Sequence, residues 1–410
     1  MTFPIGRSSR AAPLALQGLI LVSVAWLAVM ATSLIAPVLP LMARHFADAP
    51  NAKELVQLTI ALPALMVALF AVPIGLLIDR VDRIGVLIGG LLLYAAAGLA
   101  PTLLDTLPAI LASRCVVGVA EAVVMTAGTA LLADLFDGPS REQWFALQTG
   151  SATLVSIVVL ALGGALGEVS WRTPFFVYAL PSIFAVLVWR LVSRPVDVAG
   201  VPASQEPVVD GGWSALTAPA LTTLLASVAF YVVVIQLPFL LTTRGYAAPS
   251  QIGLGAALAA AAVPLGSVLF RILARRSVAA RMAISFALSA AGFLLMAHQT
   301  GYAGTLAGAF INGVGSGLAL PTLLTWATGG DNAHHRGRST GAWNTAFFLG
   351  QFLSPIVFAM LSLAHGAETA LRLLAGVCAV AFVASLAALY RQGRFMARRV
   401  LAAKGVSRCT

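Results

Sequence analysis

The stretch GLLIDRVDRIG, residues 75–85, carries four charged side chains within eleven residues. The chain on both sides of it is almost entirely apolar for about twenty residues or more, which is the length that a membrane-spanning helix needs. The stretch is therefore expected to be a short polar connection between two such helices.

The composition of the whole chain agrees with this prediction. Of the 410 residues, 60% are hydrophobic and 10% are charged, against about 25% charged residues in a typical soluble domain. The mean hydropathy is +0.94. A soluble fold could not bury this much apolar surface, so the predicted fold class is an all-α integral membrane protein.

Twelve segments are long and apolar enough to cross a bilayer. The first continues to Pro40, well beyond the apolar core of a signal peptide, so it is interpreted as a membrane helix and not as a cleaved leader. The predicted segments cover residues 15–42, 54–78, 84–104, 107–133, 144–167, 171–192, 216–242, 251–273, 278–298, 302–328, 339–364 and 369–390.

The distribution of basic residues predicts the orientation of these segments. If both chain ends lie in the cytoplasm, 19 of the 25 Lys and Arg residues fall on the cytoplasmic side, 5 fall outside, and Arg114 falls within the membrane. Basic residues accumulate on the cytoplasmic side of membrane proteins. The prediction is a multi-pass protein of the cytoplasmic (inner) membrane with both termini in the cytoplasm. The same bias explains the net charge of +10 without a nucleic-acid partner.

The segments form two groups of six. Residues 193–214 are rich in Pro and Gly and are predicted to be a cytoplasmic linker between an N-terminal bundle, 1–192, and a C-terminal bundle, 215–410, which ends in a basic tail. AVPIGLLIDRVDR at 71–83 aligns without gaps on AVPLGSVLFRILA at 262–274. Such an internal repeat predicts two pseudo-symmetric six-helix bundles, an architecture known among transporters.

The motifs resemble those of the major facilitator superfamily. Gly75, Leu77, Asp79, Arg80 and Arg83 follow the family signature between the second and third helices, and a weaker copy follows the eighth. Similar family motifs are Arg114 with Gly118, SWRTPFF at 170–176, and NTAFFLGQFLSPI at 344–356. The resemblance implies a secondary transporter with twelve helices that works by alternating access.

The resemblance also implies a gating loop. In the family, this charged cluster latches the two halves together on the inside in the outward-open state. The residues of this chain that match it are Gly75, Asp79, Arg80 and Arg83, with Gly266 and Arg271 in the weaker copy. The alternative is a solvated turn that carries topology charges. Asp82 departs from the family, which usually has Gly there.

Two charged residues are predicted inside the membrane, where charges are costly and tend to be functional. Glu121 lies near the middle of the fourth segment and Arg114 lies seven residues earlier, about 10 Å along the helix axis. A carboxyl group at low dielectric can bind and release a proton near neutral pH. Glu121 is therefore predicted to carry protons, with Arg114 tuning it or binding an anionic substrate group. The alternative is a structural ion pair or a polar clamp between helices.

The resemblance places helices 1, 4, 7 and 10 around a central cavity, so polar and aromatic residues there are predicted to line it. Each of them could instead form an interhelical hydrogen bond, which is worth about 0.6 kcal/mol. The predicted cavity residues are Trp26, Thr32, Arg114, Thr126, Tyr231, Gln236, Asn312, Trp326 and Asn344, with Gln148 and Gln351 as further members.

Other functional classes find little support. No Gly-Lys of a P-loop is present, no HExxH motif occurs, and the five histidines lie near segment ends or in loops. No enzyme activity, metal or cofactor is therefore expected. The predicted partners are a small-molecule substrate, protons and the lipid bilayer, and the predicted oligomeric state is a monomer.

The predicted function is proton-coupled secondary transport with a slight preference for efflux. Proton-antiporting exporters of the resembled family usually carry a Gly-Pro pair where Val159 and Leu160 stand, which weakens the case for export. The alternatives are proton-coupled uptake of a small organic anion or zwitterion, and a membrane-embedded enzyme. The sequence does not identify the substrate.

Overall fold

The computed structural model describes residues 13–78, 81–136, 138–192, 214–328 and 336–406. Asp79 and Arg80 of the predicted gating loop lie outside the described residues, as does nearly all of the predicted linker. Within the described ranges the regular secondary structure is entirely helical.

In these described ranges, twelve helices are long and apolar enough to cross a membrane, which confirms the predicted fold class. We number them α1 to α12 in chain order. Their bounds are α1 Leu14–His45, α2 Ala52–Ile78, α3 Arg83–Thr102, α4 Leu107–Leu135, α5 Gly138–Gly167, α6 Thr173–Leu191, α7 Ser214–Thr243, α8 Pro249–Ile272, α9 Val278–His298, α10 Tyr302–Thr328, α11 Arg336–His365 and α12 Ala367–Val406.

The helices extend beyond the predicted segments at several ends. α5 begins at Gly138, ahead of its apolar run, and includes the polar residues 140–143. α12 continues to Val406. Hydropathy marks the part of a helix that lies in the membrane, whereas backbone hydrogen bonding continues through polar residues that favour helix.

Proline interrupts the first helix. α1 contains a 3₁₀ turn at Ala36–Val38, and its next stretch begins at Leu39. Pro37 and Pro40 lie at this break. A proline has no N–H to donate and its ring clashes with the preceding turn, so helices commonly break where one occurs.

Successive helices run in opposite directions and define two sides of the molecule. We call the side where α1 begins the terminal side; it also holds the α2–α3, α4–α5 and α8–α9 connections. The opposite side, which holds the α1–α2, α5–α6 and α7–α8 connections, is the far side.

The helices pack as two groups. In the N-terminal half, the described residues up to Val192, α4 packs against α2 and α3. In the C-terminal half, from Ser214 onward, α9 packs against α10 and α12, and α7 packs against α11. The two halves meet where α2 packs against α11 and where α5 packs against α8. The exact division at 193–214 stays a prediction.

A glycine of the weaker motif copy allows α8 and α10 to approach closely. A Cβ at Gly266 would clash with the carbonyl oxygen of Val314 and would lie 2.7 Å from Gly317 Cα. Gly75, its counterpart in the first copy, is less restricted, because a Cβ there would make only an ordinary contact at 3.9 Å with Thr126. The packing requirement is therefore stronger in the C-terminal half.

Candidate functional site: a central cavity between the halves

A central cavity lies between the two halves. Its walls come from α1, α2, α4 and α5 of the N-terminal half and from α7, α8, α10 and α11 of the C-terminal half. The cavity has a volume of about 440 Å³. Pockets for drug-sized ligands hold about 300–1000 Å³, so a small organic molecule fits here.

Glu121 lies in the wall of this cavity. Its side chain belongs to α4 and is 5% exposed. Among the described residues that line the cavity, Glu121 is the only one that carries a formal charge. Its placement suits the predicted proton carrier, although the role itself stays a prediction.

Arg114 lies elsewhere, behind the cavity wall. Its guanidinium is fully buried and donates hydrogen bonds to the carbonyl oxygens of Ala97 (3.2 Å) and Gly98 (3.3 Å) near the end of α3. The same group stacks over the rings of Phe175 (5.3 Å) and Tyr178 (4.9 Å) of α6. Arg114 is not among the residues that line the cavity, so the contacts seen here are those of a residue that joins α3, α4 and α6.

This environment predicts that Arg114→Lys lowers stability. A lysine keeps the charge but lacks the planar group that stacks on two rings while donating to two carbonyl groups. Removing the partner of buried polar groups costs about 1–3 kcal/mol, so the apparent melting temperature in detergent should fall by several degrees. Arg372→Lys is the matched control, because the Arg372 side chain is 50% exposed and lies 3.9 Å from Glu368. An Arg114→Lys protein as stable as the control would contradict the proposed packing role.

Several of the other predicted residues line the cavity. These are Thr32, Tyr231, Asn312 and Asn344, together with Gln148 and Gln351. Thr32 and Gln351 also connect the halves, since Gln351 Nε2 donates to Thr32 Oγ1 at 3.0 Å.

The remaining predicted residues lie outside the lining. Trp26 Nε1 donates to Ser151 Oγ at 2.8 Å and so joins α1 to α5. Thr126 Oγ1 donates to the carbonyl oxygen of Ala122 in its own helix. Gln236 donates a hydrogen bond to Gln57 of α2 at the far side. Trp326 packs against the apolar core. The contacts of Trp26, Gln236 and Trp326 correspond to the alternative of interhelical bonding or packing, whereas Thr126 bonds within its own helix.

Residue-by-residue reasoning missed an aromatic face of α11. Trp343 and Phe347 line the cavity with their rings 5.4 Å apart and 8° from parallel. The Phe347 ring also meets the Tyr231 ring of α7 at 5.5 Å, edge to face. The signal was present in the sequence, because Trp343, Phe347 and Gln351 recur every four residues and so share one face of a helix.

The cavity is closed toward the far side by contacts between the halves. Gln236 Nε2 donates to Gln57 Oε1 at 2.7 Å. Near the far side, α5 and α8 also touch backbone to backbone: a Cβ at Gly164 would lie 2.5 Å from the carbonyl oxygen of Pro249 and 2.8 Å from Gly253 Cα. Toward the terminal side, the residues that line the cavity include Thr129 and Trp343. These lie about two turns from the ends of α4 and α11 on that side.

A carboxylate adds to the far-side closure. Glu168, just after α5, accepts a hydrogen bond from the backbone N–H of Ser250 in the first turn of α8, at 2.9 Å. The Ser250 hydroxyl and this backbone N–H both favour the ionised form, and together they lower the pKa of Glu168. The contact is therefore intact above the ordinary pKa of a glutamate and is lost as the pH falls through the lowered value.

The described part of the gating loop is held within the N-terminal half. Arg83 pairs with Asp134 at the end of α4, with 2.6 Å between Nη1 and Oδ2. Asp82 caps α3 by accepting a hydrogen bond from the backbone N–H of Ile84. Arg271, in the last turn of α8, is exposed on the terminal side. Because Asp79 and Arg80 lie outside the described residues, the predicted latch stays a prediction.

In the described residues, twelve helices long enough to span a membrane surround a cavity between two halves, an architecture known among secondary transporters. The comparison with known families identifies it further: the profile of the Major Facilitator Superfamily matches residues 21–355. The chain belongs to this family, as its motifs indicated.

Individual relatives are more distant. A tetracycline resistance protein of class B from Escherichia coli is 31% identical over 159 residues, which is 39% of this chain and 39% of that protein. The class D protein from Salmonella ordonez is 27% identical over 81% of this chain and 86% of its own length. A solved bacterial homologue of the human lysosomal transporter Spinster, inward-facing and occupied, has the same fold, with a TM-score of 0.75 at 15% identity over 93% of this chain and 97% of that one.

Proposed function

We propose that this transporter moves a small molecule by alternating access and couples the movement to protons through Glu121. The observation that carries the proposal is the position of Glu121: a buried carboxyl group in the wall of a central cavity, at the interface of two halves. A carboxyl group there can bind a proton from whichever side the cavity faces. Rocking of the two halves would then carry the substrate and the proton past the same point.

The proposed orientation places the terminal side in the cytoplasm, as the distribution of basic residues predicts. The conformation described here would then be the inward-open one. Its far-side contacts support this assignment, namely the Gln57–Gln236 pair and the backbone contact of Gly164 with Pro249. In the outward-open state these contacts would separate, and the predicted latch around Asp79 would close the inner side.

We favour efflux in exchange for protons. The similarity to tetracycline resistance proteins supports export, whereas Val159 and Leu160 in place of a Gly-Pro pair speak against it. The alternative of anion or zwitterion uptake depended on Arg114 as the binding group. Arg114 is directed at α3 and α6, which makes that alternative weaker.

Purified protein in liposomes tests the proposal. Tetracycline is the first compound to try, because it appears in the names of the relatives. A dye that reports internal pH should register proton movement when substrate is added, and accumulation of the substrate should collapse with a protonophore. Accumulation that persists at full level with the protonophore would overturn proton coupling.

A further inference from the structure

We infer that the central cavity binds flat aromatic monocations, with Glu121 as their counter-charge and the Trp343–Phe347–Tyr231 cluster as their stacking surface. The inference rests on the proposed function in one respect, namely that this cavity carries the substrate. It concerns which chemistry the cavity accepts, not the direction of transport or its driving force.

The charge of the ligand follows from the charged groups of the wall. Among its described residues there is no Lys, Arg or His to attract an anion, and Glu121 is the one acidic group. Among the described residues, Glu121 shows no direct hydrogen bond or ion pair, and Arg114, which lies behind the wall and donates to carbonyl groups of α3, acts on it only through its electric field. A buried carboxylate without direct contact to a positive charge is costly, so it favours binding of either a proton or the cationic group of a ligand.

The number of charges that the ligand should carry follows from the same set of wall residues. A single carboxylate balances a single positive charge. A dication would leave one charge unpaired in a largely apolar space, and an anion would meet repulsion from Glu121. The cavity therefore favours monocations over dications, neutral compounds and anions.

The expectation that the ligand has a flat ring system follows from the aromatic residues of the C-terminal half. Trp343 and Phe347 are stacked at 5.4 Å, and Tyr231 meets Phe347 edge to face. All three line the cavity and belong to the C-terminal half, whereas Glu121 belongs to the N-terminal half. Aromatic faces attract both flat rings and delocalised cations. A ligand that spans the cavity would thus contact the charge with one half and the rings with the other.

Three probes of similar shape separate these contributions: 10-methylacridinium is a flat monocation, 10-methylacridone is a near-isosteric neutral compound, and 9-anthracenecarboxylate is an anion. Their binding to the full chain in detergent is measured by equilibrium dialysis at mildly alkaline pH. A charge-assisted contact predicts that the cation binds about tenfold more tightly than the neutral compound, or more. The anion should bind most weakly.

Variants assign the preference to residues. In Glu121→Gln, the binding affinity for the cation should fall to within about twofold of the affinity for the neutral compound. Glu121→Asp should keep most of the preference for the cation. Trp343→Leu should weaken the binding of both the cation and the neutral compound, since both lose the stacking surface. Asp105→Asn is the control, because Asp105 is an acidic residue paired with Arg172 on the far side, away from the cavity.

Two results would overturn the inference: equal binding of cation and neutral compound by the wild type, or an unchanged cation preference in Glu121→Gln. Because dialysis uses no gradient, its outcome is independent of coupling. Selective binding of 10-methylacridinium without proton movement in liposomes would uphold the substrate class and reject the proposed coupling. If only neutral compounds or anions move with protons, the proposed coupling is upheld and the proposed substrate class is rejected.

Discussion

Glu121→Gln should reduce substrate accumulation driven by a pH gradient to the level of empty liposomes. The amide has nearly the size of the carboxyl group but cannot take up or release a proton in the physiological range. Because it replaces a buried charge with a neutral group, the substitution is not expected to destabilise the fold. Transport is measured at saturating substrate concentration, so that weaker binding alone cannot account for the loss.

Two controls define the interpretation of this experiment. Glu121→Asp retains an ionisable group at the same backbone position and should retain part of the coupled transport. Asp105→Asn removes a far-side carboxylate and should leave the coupled transport intact, since Asp105 pairs with Arg172 outside the cavity. If Glu121→Gln keeps full proton-driven accumulation, Glu121 is not the coupling residue.

Gly164→Val should shift the protein away from the conformation described here. No space exists for a side chain, because the atoms that a Cβ would meet belong to the backbone of Pro249 and Gly253 in the opposite half. Overpacking costs about 1–3 kcal/mol, which corresponds to a change of roughly 5- to 150-fold in the ratio of two states. The far side should therefore open.

Cysteine accessibility measures this shift. Thr129→Cys, in a chain whose native cysteines are replaced, places a thiol on the exposed part of the cavity wall. A membrane-impermeant thiol reagent should reach it from the terminal side in the parent protein and from the far side after Gly164→Val. Unchanged accessibility from both sides would argue against the far-side closure.

Two other glycines of α5 provide matched controls. A side chain at Gly163 would clash with the carbonyl oxygen of Leu34 in the same half. Gly163→Val should therefore lower stability without exchanging the accessible side. Gly150 has open space around it, so Gly150→Val should change neither property.

The number and placement of the helices could be predicted from the sequence because the bilayer imposes a simple requirement on length and apolarity. The twelve predicted segments all correspond to helices of the structure. The ends of α5 and α12 could not be predicted in the same way, because these helices continue beyond the apolar runs.

The site could be predicted only in part, because a residue's position along a helix does not fix where its side chain reaches. Glu121 and Arg114 both stood out as charges within an apolar segment. Glu121 reaches the cavity, whereas the longer Arg114 side chain reaches the α3 carbonyl groups and the α6 rings. That distinction depends on helices that are distant in sequence. The pairing of Arg83 with Asp134 depends on tertiary contact in the same way.

The placement of Arg114 has a consequence for energy conversion. Arg114 and Glu121 belong to the same helix, and the α3 and α6 groups that hold Arg114 belong to the same half. If the halves rock as rigid bodies, the distance between this guanidinium and Glu121 stays constant throughout the cycle. Arg114 therefore cannot by itself alternate the proton affinity of Glu121. Any alternation must then come from the C-terminal half, as Tyr231 and its aromatic neighbours approach Glu121 and withdraw, and from the water admitted in between.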